Sequence, residues 1–308
     1  MQSHHLRSIL NPEVLTGADQ LHQKFCSAQP FPHVVIDNFL DRELARRLHA
    51  EFPSFERGNS IGENGQRGGK STLEKIRALG PAYSQLDDAV KSADFLALLG
   101  RLTGVKGLLY DPWYLGGGTH ESRNGTGLDV HIDFNLHPSE RWHRRLNMLI
   151  YLNPRWESEW GGCFQLFRDP HASPRPDQSI SPIFNRCVIF ETSERSWHGF
   201  NQIQLPPDHA DLSRQSVALY FYSRDRPRDE IANRHTVIYV KRQLPERYVE
   251  GYSLRQEDVA ELRGLLSQRD AHISMLYDEN TALLKAQDAG LTGNLLYLAK
   301  RAYVRFRR

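Results

Sequence analysis

The chain is poor in cysteine and has no long apolar run. Its three cysteines among 308 residues, Cys26, Cys163 and Cys187, are odd in number and form no CxxC pair. That excludes a disulfide framework and a cysteine-rich zinc site, and points to reduced thiols in a reducing compartment. No stretch approaches the roughly 20 consecutive apolar residues that span a bilayer. The opening "MQSHHLRSILNPEVL" lacks the uninterrupted apolar segment of a signal peptide; a cytoplasmic protein is the expectation. An excess of one charge is missing too: 39 basic against 37 acidic residues leave a formal +2, which by itself argues neither for nor against nucleic acid; none is expected as a partner, because the basic clusters lack interleaved aromatics. What is present is ordinary globular material, 39% apolar and 25% charged, in a length that allows one sizeable domain and an appendage.

Residues 30–40, "PFPHVVIDNFL", read as a short strand of β-branched residues bounded by proline. Asp41 stands where a helix N-cap belongs, ahead of Leu44, Ala45, Leu48 and Phe52 on one face, with Pro53 closing the segment. "GNSIGENGQRGGKST" (58–72) reads as a glycine-rich loop, and Leu86, Val90, Leu96 and Leu99 suggest one helical face ending at Gly100. From about residue 107 the texture changes to short β-rich runs separated by turn residues: "GLLYDPWYL", "GLDVHIDF", "RLNMLIYLN", "GGCFQLF", "QSISPIF", "RCVIFET", "SWHGF" and "SVALYFYS". Such spacing predicts a double-sheet jelly roll. The expected class is therefore mainly β with flanking helices: a supporting region over 1–106, a double-stranded β-helix core over 107–243, and a helical extension over 244–308.

Within that core, His131 and Asp133 of "HIDF" stand two apart. In a strand, residues i and i+2 share a face, so both point into the barrel, with Ile132 and Phe134 toward the other layer. Two histidines and one carboxylate on one face of an iron ion leave positions open for substrates and oxygen. The second histidine must come from a later strand. His198 in "SERSWHGF" fits, since it follows the apolar run Val188–Phe190. His120 lies in a glycine-rich stretch, His137 precedes a proline, and His143 sits in the charged "ERWHRR"; these read as solvated loop histidines. Arg214 and Ser216 begin the last strand on one face, and a guanidinium there suits a buried carboxylate, which arginine binds bidentately. "GGKST" (68–72) is not a phosphate loop, because Asn64 stands where the motif needs glycine. The basic clusters "RWHRRL" and "SRDRPRDE" read as solvated faces or charges at a substrate entrance, with Arg144 and Arg145 able to reach an acidic substrate.

His131, Asp133, His198, the RxS of Arg214 and Ser216, and "RRLNMLIYLNPRWESEWGGCFQLF" together resemble the 2-oxoglutarate and Fe(II)-dependent dioxygenases, in their prolyl 4-hydroxylase-like branch. The resemblance implies Fe(II) on His131, Asp133 and His198, with 2-oxoglutarate and O2 as cosubstrates and ascorbate as a reductant. It also implies a hydroxylation that releases succinate and CO2. It assigns Tyr151, ahead of "LN", to the distal carboxylate of 2-oxoglutarate; Asn147, on the same strand face, is a second candidate for that pocket. The chain departs from many collagen-type members, which carry lysine where it has Arg214, and its "NQIQLPPDHADL" segment is long enough to cover or reshape the pocket entrance. The implied acceptor is a C–H bond of a peptidyl or prolyl residue, a free amino acid, or a sugar or lipid precursor. The rivals are a non-catalytic jelly-roll scaffold and a metal-dependent cupin that needs no cosubstrate acid.

Beyond residue 254, Val259, Leu262, Leu266, Ile273, Leu276 and Leu283 recur at alternating three-four spacing, interrupted by Arg269 and Asn280. This pattern fits either a two-stranded coiled coil that makes a homodimer or one helix packed on its own barrel. The basic, aromatic end "NLLYLAKRAYVRFRR" fits peripheral contact with an anionic membrane surface or the docking of a terminal helix.

Overall fold

The computed structural model describes residues 6–61, 67–240, 244–245 and 247–288. The chain forms two compact units, one of residues 1–60 and 69–243, the other of 61–68 and 244–308. Apart from residues 61–68, the N-terminal hundred residues thus share a unit with the jelly roll.

In the first unit, Pro12–Thr16 (α1) and Ala18–Ser27 (α2) precede strand His33–Ile36 (β1) and helix Arg42–Ala50 (α3). Asp41 caps α3 as its sequence position predicts, its carboxylate accepting from the Glu43 and Leu44 amides. Strands Asn59–Ile61 (β2) and Arg67–Leu73 (β3) follow. "GGKST" therefore lies within a strand, a second reason against a phosphate loop. The single helix expected around residues 81–100 is two, Pro81–Val90 (α4) and Ala93–Thr103 (α5), because the Ser92 hydroxyl accepts from the Phe95 amide and starts a new helix. The second runs on to a left-handed Gly104. Leu109–Tyr110 (β4), Gly118–Ser122 (β5), Leu128–Ile132 (β6), His143–Tyr151 (β7), Phe164–Phe167 (β8), Gln178–Ile180 (β9), Cys187–Glu191 (β10), Trp197–Phe200 (β11), Arg214–Ser223 (β12) and Ile238–Tyr239 (β13) build the sheets.

The larger sheet runs β1-β10-β7-β12-β5-β3-β2, with β4 also on β12, and the smaller runs β13-β6-β11-β8-β9. The named pairings are antiparallel. This is the double-stranded β-helix. All eight expected strand runs contain a strand; β5 and β3 are additions, hidden in glycine-rich sequence that reads as loop. One face of the larger sheet (Leu146, Met148 and Ile150 of β7, Val217, Leu219 and Phe221 of β12) packs on helical residues such as Leu44, Leu48, Phe95 and Leu99. The other face brings Tyr151, Val188 and Phe190 against Phe164 and Leu166 of the smaller sheet. Alternation along β7 and β12 dictates this division, since neighbouring side chains leave opposite faces of a strand.

In the second unit, Gln256–Asp288 (α6) is one continuous helix of 33 residues. Its start is fixed by Asp258, whose carboxylate accepts from the Arg255 amide and the Tyr252 hydroxyl. Among the described residues no helix is long and apolar enough to cross a membrane. Residues 294–308, with the basic, aromatic end, lie outside the described residues.

Candidate active site

Antiparallel pairing of β11 with β6 sets His198 directly opposite His131, their ring centroids 4.4 Å apart. Asp133 lies just past the end of β6. The chain has left the ladder there, so Phe134 does not turn to the opposite layer as strict alternation expects; the Arg144 guanidinium lies over its ring at 4.4 Å. The Asp133 carboxylate still joins the histidines: Oδ1 is 3.8 Å from His131 Nε2 and Oδ2 is 3.5 Å from His198 Nε2. One ligand atom from each of the three side chains falls within 4.8 Å of the others.

The donor set fits a divalent metal. His131 Nδ1 is 2.7 Å from the Asp129 carbonyl and His198 Nδ1 is 2.8 Å from the Ser196 carbonyl. A carbonyl only accepts, so both Nδ1 atoms carry the proton and both Nε2 lone pairs are left for the site. Burial, then the neighbouring His131, pushes the pKa of His198 down to about 4, so the ring is neutral, as a ligand must be. For Asp133, burial alone would raise the pKa, but Arg144, the two imidazoles and the Asn147 amide outweigh it and hold the carboxyl below its usual range.

Asn147 is the first departure from expectation. Its amide donates to Asp133 Oδ2 at 2.8 Å and its carbonyl accepts from Arg144 Nε at 2.9 Å, so it orients the carboxylate ligand; its place is at the metal end of the site, not against Arg214. Arg144 and Arg145 are the second. Instead of solvated charges, both are buried. The β7–β12 register shifts between Phe221↔Leu146 and Tyr222↔Arg144. This bulge absorbs one residue and reverses the parity that would have sent Arg144 to the helix-covered face with Leu146. Arg144 instead enters the site, stacked 3.6 Å over Tyr220, with Nη2 at 3.4 Å from Asp133 Oδ2. Arg226 of the second basic cluster is structural as well, donating to the Arg144 and Thr192 carbonyls.

The aromatic wall between the two ends of the site is Phe164 of β8 and Phe190 of β10, whose rings lie 5.5 and 4.7 Å from that of His198 and pack in one cluster with Tyr151. Beyond it lies Arg214, 5% exposed. Its Nε donates to the Gly162 carbonyl at 2.8 Å and its Nη2 to the Tyr151 hydroxyl at 3.2 Å, while its guanidinium covers Phe200 at 4.3 Å. Phe200 and His198 are i and i+2 on β11, so the arginine faces the same interior as the metal ligands. Asn153 of "YLN" fixes the start of β12, accepting from the Gln215 amide at 2.7 Å. Ser216 is buried opposite Tyr151 in the ladder. Among the described residues no carboxylate pairs with Arg214, and burial depresses its pKa. A dehydrated cation with no counter-ion favours an incoming anion.

Gly162, which opens β8 in the "GG" motif, has φ +66°, and a Cβ there would lie 3.0 Å from Trp156 and 3.2 Å from Arg214 Cδ. Only glycine lets its carbonyl meet the guanidinium. The "NQIQLPPDHADL" segment contributes Ile203, Leu205 and Leu212 to a cluster with Trp156, Trp160 and Phe200 beside the arginine. Among the described residues, the other histidine candidates do not join the three ligands. His120 is in β5, near the Gly116 carbonyl. His137 is no solvated loop residue; it is 1% exposed among Trp113, Trp142 and Tyr222.

Residues 118–222, which contain the three ligand residues and Arg214, match the family model described as the 2OG-Fe(II) oxygenase superfamily. A stretch of 88 residues is 32% identical to Prolyl 3-hydroxylase OGFOD1 of Mus musculus, covering 28% of this chain and 15% of that protein, so the match spans a small part of the relative. A solved prolyl hydroxylase from Trichoplax adhaerens, in complex with a peptide fragment of the hypoxia inducible factor oxygen degradation domain, is similar at 18% identity and TM-score 0.49, over 69% of this chain and 94% of that one. HygX from Streptomyces hygroscopicus with nickel, 2-oxoglutarate and hygromycin B bound is similar at 13% identity and TM-score 0.45, over 74% and 96%.

Proposed function

We propose that this chain, whose core over residues 118–222 is that of a 2OG-Fe(II) oxygenase, hydroxylates an unactivated C–H bond of a peptidyl substrate, with a prolyl residue favoured. The carrying observation is the pairing of two complementary ends in one interior. A triad of two imidazoles and a carboxylate stands at one end, and a buried arginine without a carboxylate partner among the described residues stands at the other. His131, Asp133 and His198 would hold Fe(II). With 2-oxoglutarate and O2, that ion supplies hydroxylation coupled to decarboxylation of the acid to succinate and CO2.

The chain's own residues account for the rest. Arg214 and the Tyr151 hydroxyl bind the distal carboxylate of the cosubstrate, so its other end is directed at the metal ligands. Phe164 and Phe190 keep water from the space between. Asn147 orients Asp133, and Arg144 keeps it ionised. A scaffold that had abandoned chemistry would have no use for a buried cation facing three converging ligands. The preference for a peptidyl substrate is supported by the sequence similarity to a prolyl 3-hydroxylase. Three cysteines that form no disulfide are in keeping with a reducing, cytoplasmic setting.

The test has two stages. Uncoupled conversion of 2-oxoglutarate to succinate under Fe(II) and air should occur in the parent and vanish in His131→Ala. Proline-containing peptide libraries are then screened by mass for a gain of one oxygen. No turnover in the first stage refutes the dioxygenase; turnover with peptides untouched and a free amino acid or sugar oxidised refutes the substrate class.

A further inference from the structure

We propose that α6 pairs with the same helix of a second copy of this chain, parallel and in register, as a two-stranded coiled coil. The helix is uninterrupted for 33 residues, about 50 Å at the α-helical rise. Val259, Leu266, Ile273 and Asn280 recur every seven residues, and Leu262, Arg269 and Leu276 stand three or four residues between them. These are the a and d positions of a heptad seam. Val259, near the helix start, is half-buried. Further along, the stripe is open: Leu266 is 57% exposed, Leu276 44% and Ile273 37%, with Tyr277 on its flank at 68%. Exposed aliphatic side chains at a strict heptad spacing demand a partner with the same spacing.

The two polar positions in the seam decide which partner and which direction. In a parallel, in-register pair each layer meets itself. Asn280 then faces the Asn280 of the other copy, where two amides satisfy each other's donors and acceptors. Arg269 faces its counterpart, but Asp270, the next residue, flanks that layer at an e position, so each guanidinium has the carboxylate of the opposite chain within reach. Antiparallel overlap of the same layers sets Asn280 against Leu262, stranding its amide on aliphatic surface, and takes Arg269 away from its counterpart to face Ile273. A helix of unrelated sequence leaves Asn280 without a matching amide. The seam therefore fits a second copy best, and a polar a position is the known device for selecting two strands and one register at a cost in stability.

The experiment uses the full chain. Sedimentation at micromolar concentration should give twice the chain mass. Ile273→Lys with Leu276→Lys should halve it while leaving the near-UV circular dichroism of the jelly-roll tryptophans unchanged, which separates loss of pairing from loss of folding. In a Cys26→Ser background, Leu266→Cys should cross-link two chains on mild oxidation, because position 266 meets itself only in the parallel register. Asn280→Val should tighten association and admit species above the dimer. A monomeric parent, or a dimer that survives the double lysine variant, overturns the pairing; a dimer that Leu266→Cys fails to cross-link overturns its direction. Neither result depends on whether the chain is an oxygenase.

Discussion

Replacing Arg214 by methionine should separate cosubstrate binding from folding, because the two respond with opposite sign. The side chain is 5% exposed and makes two hydrogen bonds, to the Gly162 carbonyl and the Tyr151 hydroxyl. Losing them costs about 1 kcal/mol each. Against this, the parent must bury a guanidinium that no carboxylate pairs with among the described residues, a desolvation penalty of several kcal/mol that methionine does not carry. Without 2-oxoglutarate the variant should therefore unfold within about 2 kcal/mol of the parent, or above it. With 2-oxoglutarate the balance inverts. Truncating one side of a buried charge pair costs about 2–5 kcal/mol, or roughly 30- to several thousand-fold in affinity. At a 2-oxoglutarate concentration 100 times the parent's Kd, the parent gains about 2.7 kcal/mol and a 100-fold weaker variant about 0.4 kcal/mol. The assay is thermal unfolding of Mn(II)-loaded protein with and without the acid, alongside the KM for 2-oxoglutarate in succinate formation. An unchanged KM, or a variant destabilised by more than about 4 kcal/mol without the acid, refutes the assignment of Arg214 as the carboxylate anchor.

Gly162→Ala should act on the same pocket, since the added methyl meets Trp156 and Arg214 at a positive φ; a rise of roughly tenfold or more in the KM for 2-oxoglutarate, with Fe(II) affinity little changed, is expected. Asn147→Ala removes the amide on Asp133 and should lower metal affinity by about 10- to 100-fold, read by titration with Mn(II) or Co(II), while leaving the KM for 2-oxoglutarate near the parent value. The metal-free protein should lose stability as pH falls. The His198 pKa is depressed to about 4 from the ordinary 6.5, so the unfolded chain binds more protons between those values and stability drains away from pH 6.5 downward. The full effect is on the order of 3 kcal/mol, seen as a falling melting temperature that His198→Gln flattens; a parent curve flat from pH 7 to 4.5 refutes it.

The triad and its anchor are legible in one dimension because each belongs to a short-range rule. His131 and Asp133 announce themselves by spacing, Arg214 by its place at the head of the last long strand, and the eight strand runs by period-two apolar pattern between turn residues. Asp41 is equally plain as a helix cap, since its bonds to the Glu43 and Leu44 amides are local. Strands β3 and β5 are not legible: their glycines and polar residues carry no apolar alternation, and they become strands because neighbouring edges accept their backbone groups.

What the tertiary structure alone decided is which polar residues share the interior. The bulge between β7 and β12 turned Arg144 inward against the alternation that its neighbours obey, so "RWHRRL" yields a buried partner of Asp133 where composition suggests a solvated face. Asn147 went to the metal end instead of the cosubstrate end for the same reason: its strand face is set by sequence, but its neighbour on that face is set by how two sheets close over one another. Sequence determines periodicity, caps and ligand types, which depend on a few adjacent residues. Register, bulges and cross-sheet contacts depend on groups far apart in the chain, and in this protein those contacts tune the carboxylate and leave a cation buried without a carboxylate partner among the described residues.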